Sequence, residues 1–274
     1  MSGDELWLLG SDIAESPSPA MHNAALVALG LPPRYRLRPC SPAELDAVLG
    51  EVERACRGIN VTLPHKVRVA ERYAAVLDDT ARRTGAVNTV VFEDERARVA
   101  LNTDVRGLLV AWRRAALSLE GRRVVLVGAG GAARAVVVAL AEAQARSVSI
   151  RARRPEAAEE LAALAEREGL MADAGDGPPG SMAIFAIPSV EDPDGAVASA
   201  VEGPGVVHDL RYGLRAVPLR NAALRAGHLF VDGSTMLIAQ GVAALEAFLG
   251  RPPGAAAEAA MTRAVAERLK GPRS

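Results

Sequence analysis

The stretch RVVLVGAGGAARAVVVALAEAQA at residues 123–145 decides the fold. A short apolar run is followed by glycines and then by helix-forming residues, which predicts a strand, a tight turn and a helix. In the dinucleotide-binding fingerprint, one glycine permits the turn and another lets the backbone approach a pyrophosphate. A strand-to-helix connection without a nucleotide is the alternative. We expect a dinucleotide to bind at Gly128, Ala129, Gly130, Gly131 and Ala132.

The end of the next predicted strand selects the dinucleotide. An NAD enzyme places Asp or Glu about 20 residues beyond the glycine turn, where the carboxylate binds the ribose 2'-hydroxyl. This chain has Arg151, Arg153 and Arg154 there. Guanidinium groups form charge-assisted, bidentate hydrogen bonds with a phosphate, so the sequence predicts NADP. The alternative is a solvated basic turn in a chain rich in arginine.

Short apolar runs alternate with amphipathic stretches along the whole chain, the pattern typical of βαβ units and an α/β fold. The sequence pattern changes near residues 102–122, which predicts a domain boundary at about Asp104. The predicted strands are residues 6–10, 35–39, 58–62, 86–92, 123–128, 147–152, 182–187, 206–210 and 228–232. The clearest predicted helices are residues 18–29, 42–55, 105–117, 132–145, 156–168, 235–249 and 254–269.

Composition excludes several classes of protein. The 274 residues carry a formal net charge of -1, which argues against a polyanion-binding surface and hence against nucleic acid. Two cysteines make no disulfide framework, and no Cys/His cluster has metal-ligand spacing. No apolar run approaches the roughly 20 residues that span a bilayer. We expect a cytoplasmic protein that binds no metal and no membrane.

Polar side chains recur at the ends of predicted elements in the first half. They lie in the segments Ser16–Pro19, Asn60–Lys66, Gly85–Thr89 and Asn102–Asp104. Small ligands bind outside the carboxyl ends of strands in open α/β sheets, so these segments predict one cleft. The alternatives are structural, because Ser, Thr and Asp at such places also cap helices and a lysine can simply extend to solvent.

The choice of lysine over arginine at position 66 calls for an explanation, since the chain has only one other lysine, Lys270, and uses arginine elsewhere. A lysine ammonium gives up a proton far more readily than a guanidinium does. The residue is therefore a candidate proton donor.

The segments SPSPAMHNAAL, GINVTLPHK, GAVNTVV, NTDVRGL, VGAGGAARA, HDLRY and DGSTMLIAQG, in this order, resemble the shikimate dehydrogenase family over residues 5 to about 250. The resemblance implies reversible reduction of 3-dehydroshikimate to shikimate with NADPH. It also implies an N-terminal α/β substrate domain, residues 1–103, completed by C-terminal helices that return to it at 235–274. The NADP-binding Rossmann domain would span residues 104–234.

The resemblance also implies roles for individual residues. Lys66 and Asp104 would form the catalytic pair, and the small-molecule substrate would contact Ser16, Ser18, Thr62, Asn88, Tyr212 and Gln240. Ser16 and Ser18 would bind its carboxylate. The family's activity is compatible with a monomer or a homodimer.

The chain departs from the family pattern near the cofactor. Phe185-Ala186-Ile187 replaces Asn-Ala-Thr, and the family's Gly-x-Gly-Met-Leu reads Gly233-Ser234-Thr235-Met236-Leu237 here. Ile187 and Gly233 are still expected to line the cofactor site, although apolar side chains such as those at 185 and 187 more commonly fill a core. These changes leave open a ligand-binding relative without redox chemistry. A quinate or aminated-shikimate dehydrogenase is another alternative, because the same catalytic pair would serve it. A methylene-tetrahydrofolate dehydrogenase is a further alternative, disfavoured by the NVTLPHK and NTD pairing.

Overall fold

A computed structural model describes residues 4–270. The elements as far as residue 114 are β1 (Glu5–Gly10), α1 (Ser18–Ala28), β2 (Tyr35–Pro39), α2 (Leu45–Ala55), β3 (Cys56–Val61), α3 (Lys66–Arg72), α4 (Asp79–Thr84), β4 (Thr89–Glu93), β5 (Arg96–Leu101) and α5 (Asp104–Arg114). They are followed by β6 (Arg123–Val127), α6 (Gly131–Glu142), β7 (Ser147–Arg151), α7 (Pro155–Arg167), β8 (Met171–Ala174), β9 (Gly180–Phe185), α8 (Pro193–Ala200), β10 (Val201–Asp209), α9 (Val217–Arg225), β11 (Leu229–Asp232), α10 (Ser234–Leu249) and α11 (Gly254–Leu269).

The chain divides into two compact units. One contains the chain as far as Gly107 and again from Ile238, and the other is Leu108–Leu237. The divisions fall inside α5 and α10, a few residues beyond the predicted boundaries at 103/104 and 234/235. The assignment of substrate to one unit and cofactor to the other stays a prediction.

The first unit contains a five-stranded sheet of order β2-β1-β3-β4-β5. β1 pairs in parallel with β2 and β3, whereas β4 is antiparallel to both β3 and β5. The carboxyl ends of β1, β3 and β5 therefore meet the amino end of β4 at one edge of the sheet. Each segment that follows β1, β3 or β5 begins at that edge, and the segment that precedes β4 ends there.

The second unit contains a six-stranded parallel sheet of order β11-β10-β9-β6-β7-β8. Counted from β8, this is the strand order 3-2-1-4-5-6 of a Rossmann fold. The central strands are apolar on both faces, as parallel sheets covered by helices require, and Val124, Val125 and Leu126 are fully buried in β6. The order reverses between β6 and β9, the place where such sheets bind ligands.

The sequence pattern does not predict β5 or β8, and each is the outermost strand of its sheet. β5 carries exposed arginines, and β8 is a four-residue strand with little burial. An edge strand needs only one partner and few apolar side chains, so its composition resembles a loop. Among residues 4–270, no helix combines the length and the apolar composition needed to cross a bilayer.

Candidate active site

Lys66 and Asp104 form an ion pair at the edge where β3 and β5 end. Lys66 is the first residue of α3 and Asp104 the first residue of α5. Lys66 Nζ donates to Asp104 Oδ2 at 2.5 Å, and the two side chains are only 13% and 5% exposed. A charge pair this well shielded from water interacts strongly and has a fixed geometry.

Asp104 is positioned by two amides as well as by Lys66. Its Oδ1 accepts from Asn88 Nδ2 at 2.8 Å, and its backbone N–H donates to Asn102 Oδ1 at 3.0 Å. Both carboxylate oxygens are thus bound to side chains. The alternative in which Asp104 serves as the N-cap of α5 does not describe this residue, which lies inside the helix.

Asn88 directly precedes β4, so its side chain lies at the same edge. Its amide nitrogen donates to Thr103 Oγ1 at 3.0 Å as well as to Asp104. Its Oδ1 accepts from the backbone N–H of Thr103 at 2.8 Å and from Thr89 Oγ1 at 3.0 Å. The predicted contact with a substrate hydroxyl stays a prediction, and such a contact has to share an amide that is already fully hydrogen-bonded.

Ser16 and Ser18 lie together where α1 begins, in the segment that follows β1. Ser16 Oγ donates to Ser18 Oγ at 3.2 Å and accepts from the Ser18 backbone N–H at 3.3 Å. The N-cap residue of α1 is Pro17, so Ser18 does not cap the helix, while Ser16 Oγ accepts from the first N–H of the helix. Two adjacent hydroxyls beside the positive end of a helix suit a carboxylate.

Thr62 and Gln240 complete the predicted set in the first unit. Thr62 follows β3 and is half-buried, and α3 has His65 as its N-cap residue, so Thr62 does not cap that helix. Gln240 lies on α10, which approaches α1 so closely at Gly241 that a Cβ there would overlap Met21. The backbone of α10 next to Gln240 therefore packs against α1.

In the second unit, Gly128 makes the turn that the fingerprint predicts. It has φ +116°, and a Cβ on it would lie 2.5 Å from the carbonyl oxygen of Ala186 and 2.9 Å from Ile187 Cγ2. α6 begins at Gly131, and its N-cap, Gly130, is exposed and has no side chain to satisfy the first N–H groups. The phosphates of a dinucleotide could approach this turn closely because Gly128 and Gly130 carry no side chains. They would bind there to the first N–H groups and the positive dipole end of α6.

The three arginines predicted to bind a 2'-phosphate have different surroundings. The guanidinium of Arg151 donates to the backbone carbonyls of Gly177 at 2.7 Å and Ser199 at 3.1 Å. Arg153 and Arg154 are exposed, and within residues 4–270 neither guanidinium makes a hydrogen bond or an ion pair. Arg153 and Arg154 are therefore available to bind a phosphate. Arg151 instead connects β7 to the segments that contain Gly177 and Ser199.

Tyr212 and Gly233 lie in two adjoining segments of the second unit. Burial raises the pKa of the Tyr212 hydroxyl above its usual value. The backbone N–H of Gly233 donates to the carbonyl of Arg211 at 2.9 Å, and a Cβ on Gly233 would overlap the carbonyl oxygen of Leu210. The glycine is thus required by the close approach of these segments.

Comparison with known proteins identifies the family. A model of the shikimate dehydrogenase substrate binding domain matches residues 8–90, and a model of shikimate / quinate 5-dehydrogenase matches residues 110–173. Shikimate dehydrogenase (NADP(+)) of Rubrobacter xylanophilus is 38% identical over 267 residues, which cover 90% of each chain. The chain belongs to the shikimate dehydrogenase family.

Other members of the shikimate dehydrogenase family show the same similarity. The relative from Methanothermobacter thermautotrophicus, also a shikimate dehydrogenase (NADP(+)), is 37% identical over 260 residues, covering 90% of this chain and 91% of its own. The crystal structure of the Thermus thermophilus enzyme in complex with NADP(H) and shikimate has a TM-score of 0.82 and 32% identity, covering 97% of this chain and 100% of that chain.

One charged pair of this shikimate dehydrogenase family member was not anticipated. Arg211 donates from Nε to Asp209 Oδ1 at 2.9 Å and from Nη2 to Asp209 Oδ2 at 2.7 Å, and Asp209 is fully buried. The pair braces the segment that carries Tyr212. Both residues belong to the segment HDLRY. The presence of an arginine two residues after an aspartate does not by itself predict that the two side chains form a bidentate ion pair.

Proposed function

We propose that this protein is an NADP-dependent shikimate dehydrogenase, which interconverts 3-dehydroshikimate and shikimate. The observation that carries the proposal is the shielded Lys66–Asp104 pair, located on a chain of this family. A ketone that receives a hydride becomes an alkoxide, and a positioned acid must protonate the oxygen as negative charge develops.

Lys66 is the proposed acid in reduction and the proposed base in the reverse direction. Its Nζ carries a compact, transferable proton, whereas an arginine at the same place would keep its proton. The proton moves from Nζ to the substrate oxygen, and water restores it afterwards. Asp104 fixes the direction of the ammonium through the hydrogen bond that it accepts from Nζ.

The other predicted site residues are proposed to bind and orient. Ser16 and Ser18 would receive the substrate carboxylate at the start of α1, and the hydroxyls of the ring would contact Thr62, Asn88, Tyr212 and Gln240. These contacts place the carbonyl oxygen next to Lys66. Holding the substrate in one orientation converts a bimolecular step into an effectively unimolecular one.

The second unit is proposed to bind NADP through the glycine turn at 128–132 and through Arg153 and Arg154, with Ile187 and Gly233 beside the nicotinamide end. When bound, the reduced cofactor supplies the hydride. The first unit would then serve the substrate. Both cysteines are free thiols, which supports a reducing compartment such as the cytoplasm. A monomer or homodimer is expected, and light scattering tests this.

The deciding experiment follows nicotinamide absorbance with purified protein, shikimate and NADP+, and repeats it with NAD+ and with quinate. We expect turnover with shikimate and NADP+, and a much lower kcat/KM with NAD+. Quinate is included because one matching family model covers shikimate and quinate dehydrogenases. Lys66→Ala, purified in the same way, excludes a contaminating enzyme. A higher kcat/KM for quinate would contradict the proposed substrate, and absence of NADPH binding in calorimetry would contradict a redox role.

A further inference from the structure

Several polar residues of the family-like segments have no role in the proposed reaction. They are spread over the first 103 residues, yet all are buried or half-buried: His22, Asn23, Asn60, Thr89 and Thr103. The last four are hydrogen-bonded through their side chains, whereas within residues 4–270 the buried Nδ1 of His22 has no hydrogen-bond partner. A polar side chain in a core costs free energy unless its hydrogen bonds are satisfied. Their partners therefore indicate what they do.

His22 and Asn23 both contact Tyr35, at the start of β2. The His22 ring stacks on the Tyr35 ring with centroids 4.3 Å apart and planes 3° from parallel. Asn23 Nδ2 donates to the Tyr35 carbonyl at 3.0 Å, and Asn23 Oδ1 accepts from the Tyr35 backbone N–H at 2.9 Å. One side chain thus fixes the ring of Tyr35 and the other fixes its backbone.

From Tyr35 a continuous chain of hydrogen bonds leads to Asp104. The Tyr35 hydroxyl donates to Asn60 Oδ1 at 2.8 Å, and Asn60 Nδ2 donates to Thr89 Oγ1 at 2.9 Å. The Thr89 hydroxyl donates to Asn88 Oδ1 at 3.0 Å. Asn88 Nδ2 then donates to Asp104 Oδ1 at 2.8 Å. Every hydrogen bond in the chain runs in the same direction.

Two backbone groups determine the orientation of the Asn60 and Asn88 amides, and hence the direction of these hydrogen bonds. Asn60 Nδ2 also faces the carbonyl of Asn88 at 3.1 Å, which can only accept, and Asn88 Oδ1 faces the N–H of Thr103 at 2.8 Å, which can only donate. Thr89 lies between the two amides. Because its oxygen accepts from Asn60, its single hydrogen is directed at Asn88.

We propose that Thr89 is a positioning residue of the Lys66–Asp104 pair and that Tyr35 is the outer end of the chain that acts through it. Together with the backbone N–H of Thr103, the Thr89 hydroxyl holds Asn88 Oδ1, so that the N–H groups of the amide point toward Asp104. A reversed amide would place its oxygen against the carboxylate and release Asp104 from one of its two side-chain partners. The consequence for turnover rests on the proposed function, but the consequence for the geometry of the pair does not.

Replacement of Thr89 by valine and by serine tests the proposal in turnover. Valine has the same shape without the hydroxyl, and serine keeps the hydroxyl. We expect Thr89→Val to lower kcat about tenfold, the worth of roughly one hydrogen bond, with KM for shikimate little changed. Thr89→Ser should restore most of kcat. Equal kcat in Thr89→Val and the wild type, or equal losses in both variants, would overturn the proposal.

The lysine content of the chain offers a readout that needs no turnover. Lys66 and Lys270 are the only lysines, so protein grown with isotope-labelled lysine gives two side-chain signals in NMR spectra, which Lys66→Arg assigns. We expect Thr89→Val to move the Lys66 signal toward that of a solvated lysine and to leave the Lys270 signal in place. If wild-type protein fails to turn over, this measurement still tests the positioning. An unmoved Lys66 signal would overturn it.

Two buried tyrosines provide a matched pair for the outer end of the chain. Tyr35 and Tyr73 are 2% and 6% exposed, and the Tyr73 hydroxyl donates to Glu53 at 2.9 Å, outside the chain that leads to Asp104. We expect Tyr35→Phe to lower kcat a few-fold and to move the Lys66 signal in the same direction as Thr89→Val, while Tyr73→Phe leaves both unchanged. Identical effects of the two substitutions would show a general loss of packing and refute the role of Tyr35.

Discussion

Replacing Lys66 by alanine removes the ammonium that contacts Asp104. If this group protonates the alkoxide, kcat should fall by about 10²- to 10⁴-fold, which corresponds to about 3–5 kcal/mol of activation free energy. KM should change much less, because the proton transfer belongs to the transition state. Lys66→Arg keeps a positive charge near Asp104 but holds its proton, so kcat should also be low.

The same substitution should lower stability by a calculable route. Asp104, whose side chain is 5% exposed, would keep the hydrogen bond from Asn88 but lose its countercharge. Breaking a buried pair costs about 3–5 kcal/mol, and the 13% exposure of the Lys66 side chain, which admits water to the site, places the loss at the lower end. Lys66→Ala combined with Asp104→Asn removes the uncompensated charge, so most of the stability should return.

The two quantities separate the chemistry from the fold. Initial rates at saturating substrate and cofactor give kcat, and urea unfolding gives the free energy of unfolding. The expected result for the double variant is recovered stability with kcat still low. A Lys66→Ala protein with kcat within tenfold of the wild type would refute Lys66 as the acid. A double variant that also recovers kcat would show that the loss arose from the uncompensated Asp104 charge.

Arg153→Ala with Arg154→Ala should raise KM for NADPH at least about tenfold, because even one charge-assisted hydrogen bond to a phosphate contributes about 1.5–3 kcal/mol, while KM for NADH stays unchanged; equal changes would contradict the assignment. Burial lowers the pKa of His22 to about 3, so below about pH 6.5 the unfolded chain binds a proton that the folded chain excludes. The free energy of unfolding should then fall by up to about 1.4 kcal/mol per pH unit, and His22→Phe should show a shallower fall between about pH 7 and 5 in urea titrations. Burial also raises the pKa of Cys56 to about 12 and that of Cys40 above its usual range, so both thiols should react slowly with a disulfide reagent until urea unfolds the protein, and rapid labelling of the native protein would contradict this.

The features that the sequence predicted best are those that short stretches of chain determine. The glycine turn at 128 needs a strand before it and a helix after it, and all of this information lies within 23 consecutive residues. Composition also isolated Lys66, since a lysine is rare in this chain. Its contact with Asp104 crosses 38 positions, and only the family resemblance implied that pair, whereas the rule that ligands bind at the carboxyl ends of strands predicted no more than a shared cleft.

The features that sequence did not predict depend on partners distant in the chain. β5 is a strand because β4 lies beside it, and no property of its own residues demands this. Proximity in sequence predicts the same role for Arg151 as for Arg153 and Arg154. The guanidinium of Arg151 is bound to the carbonyls of Gly177 and Ser199, 26 and 48 positions away, whereas the other two extend to solvent.

Asn88 shows why a motif alone does not separate a residue that touches the substrate from one that holds a catalytic group. The letters Asn-Thr at 88 and 89 are compatible with both roles. Hydrogen-bond direction distinguishes them, because an amide whose two N–H groups already point at Thr103 and Asp104 has no donor left to offer. A substrate hydroxyl that reaches Asn88 must therefore displace or share one of these bonds. The binding of substrate would then change how firmly Asp104 is held at the moment when Lys66 transfers its proton.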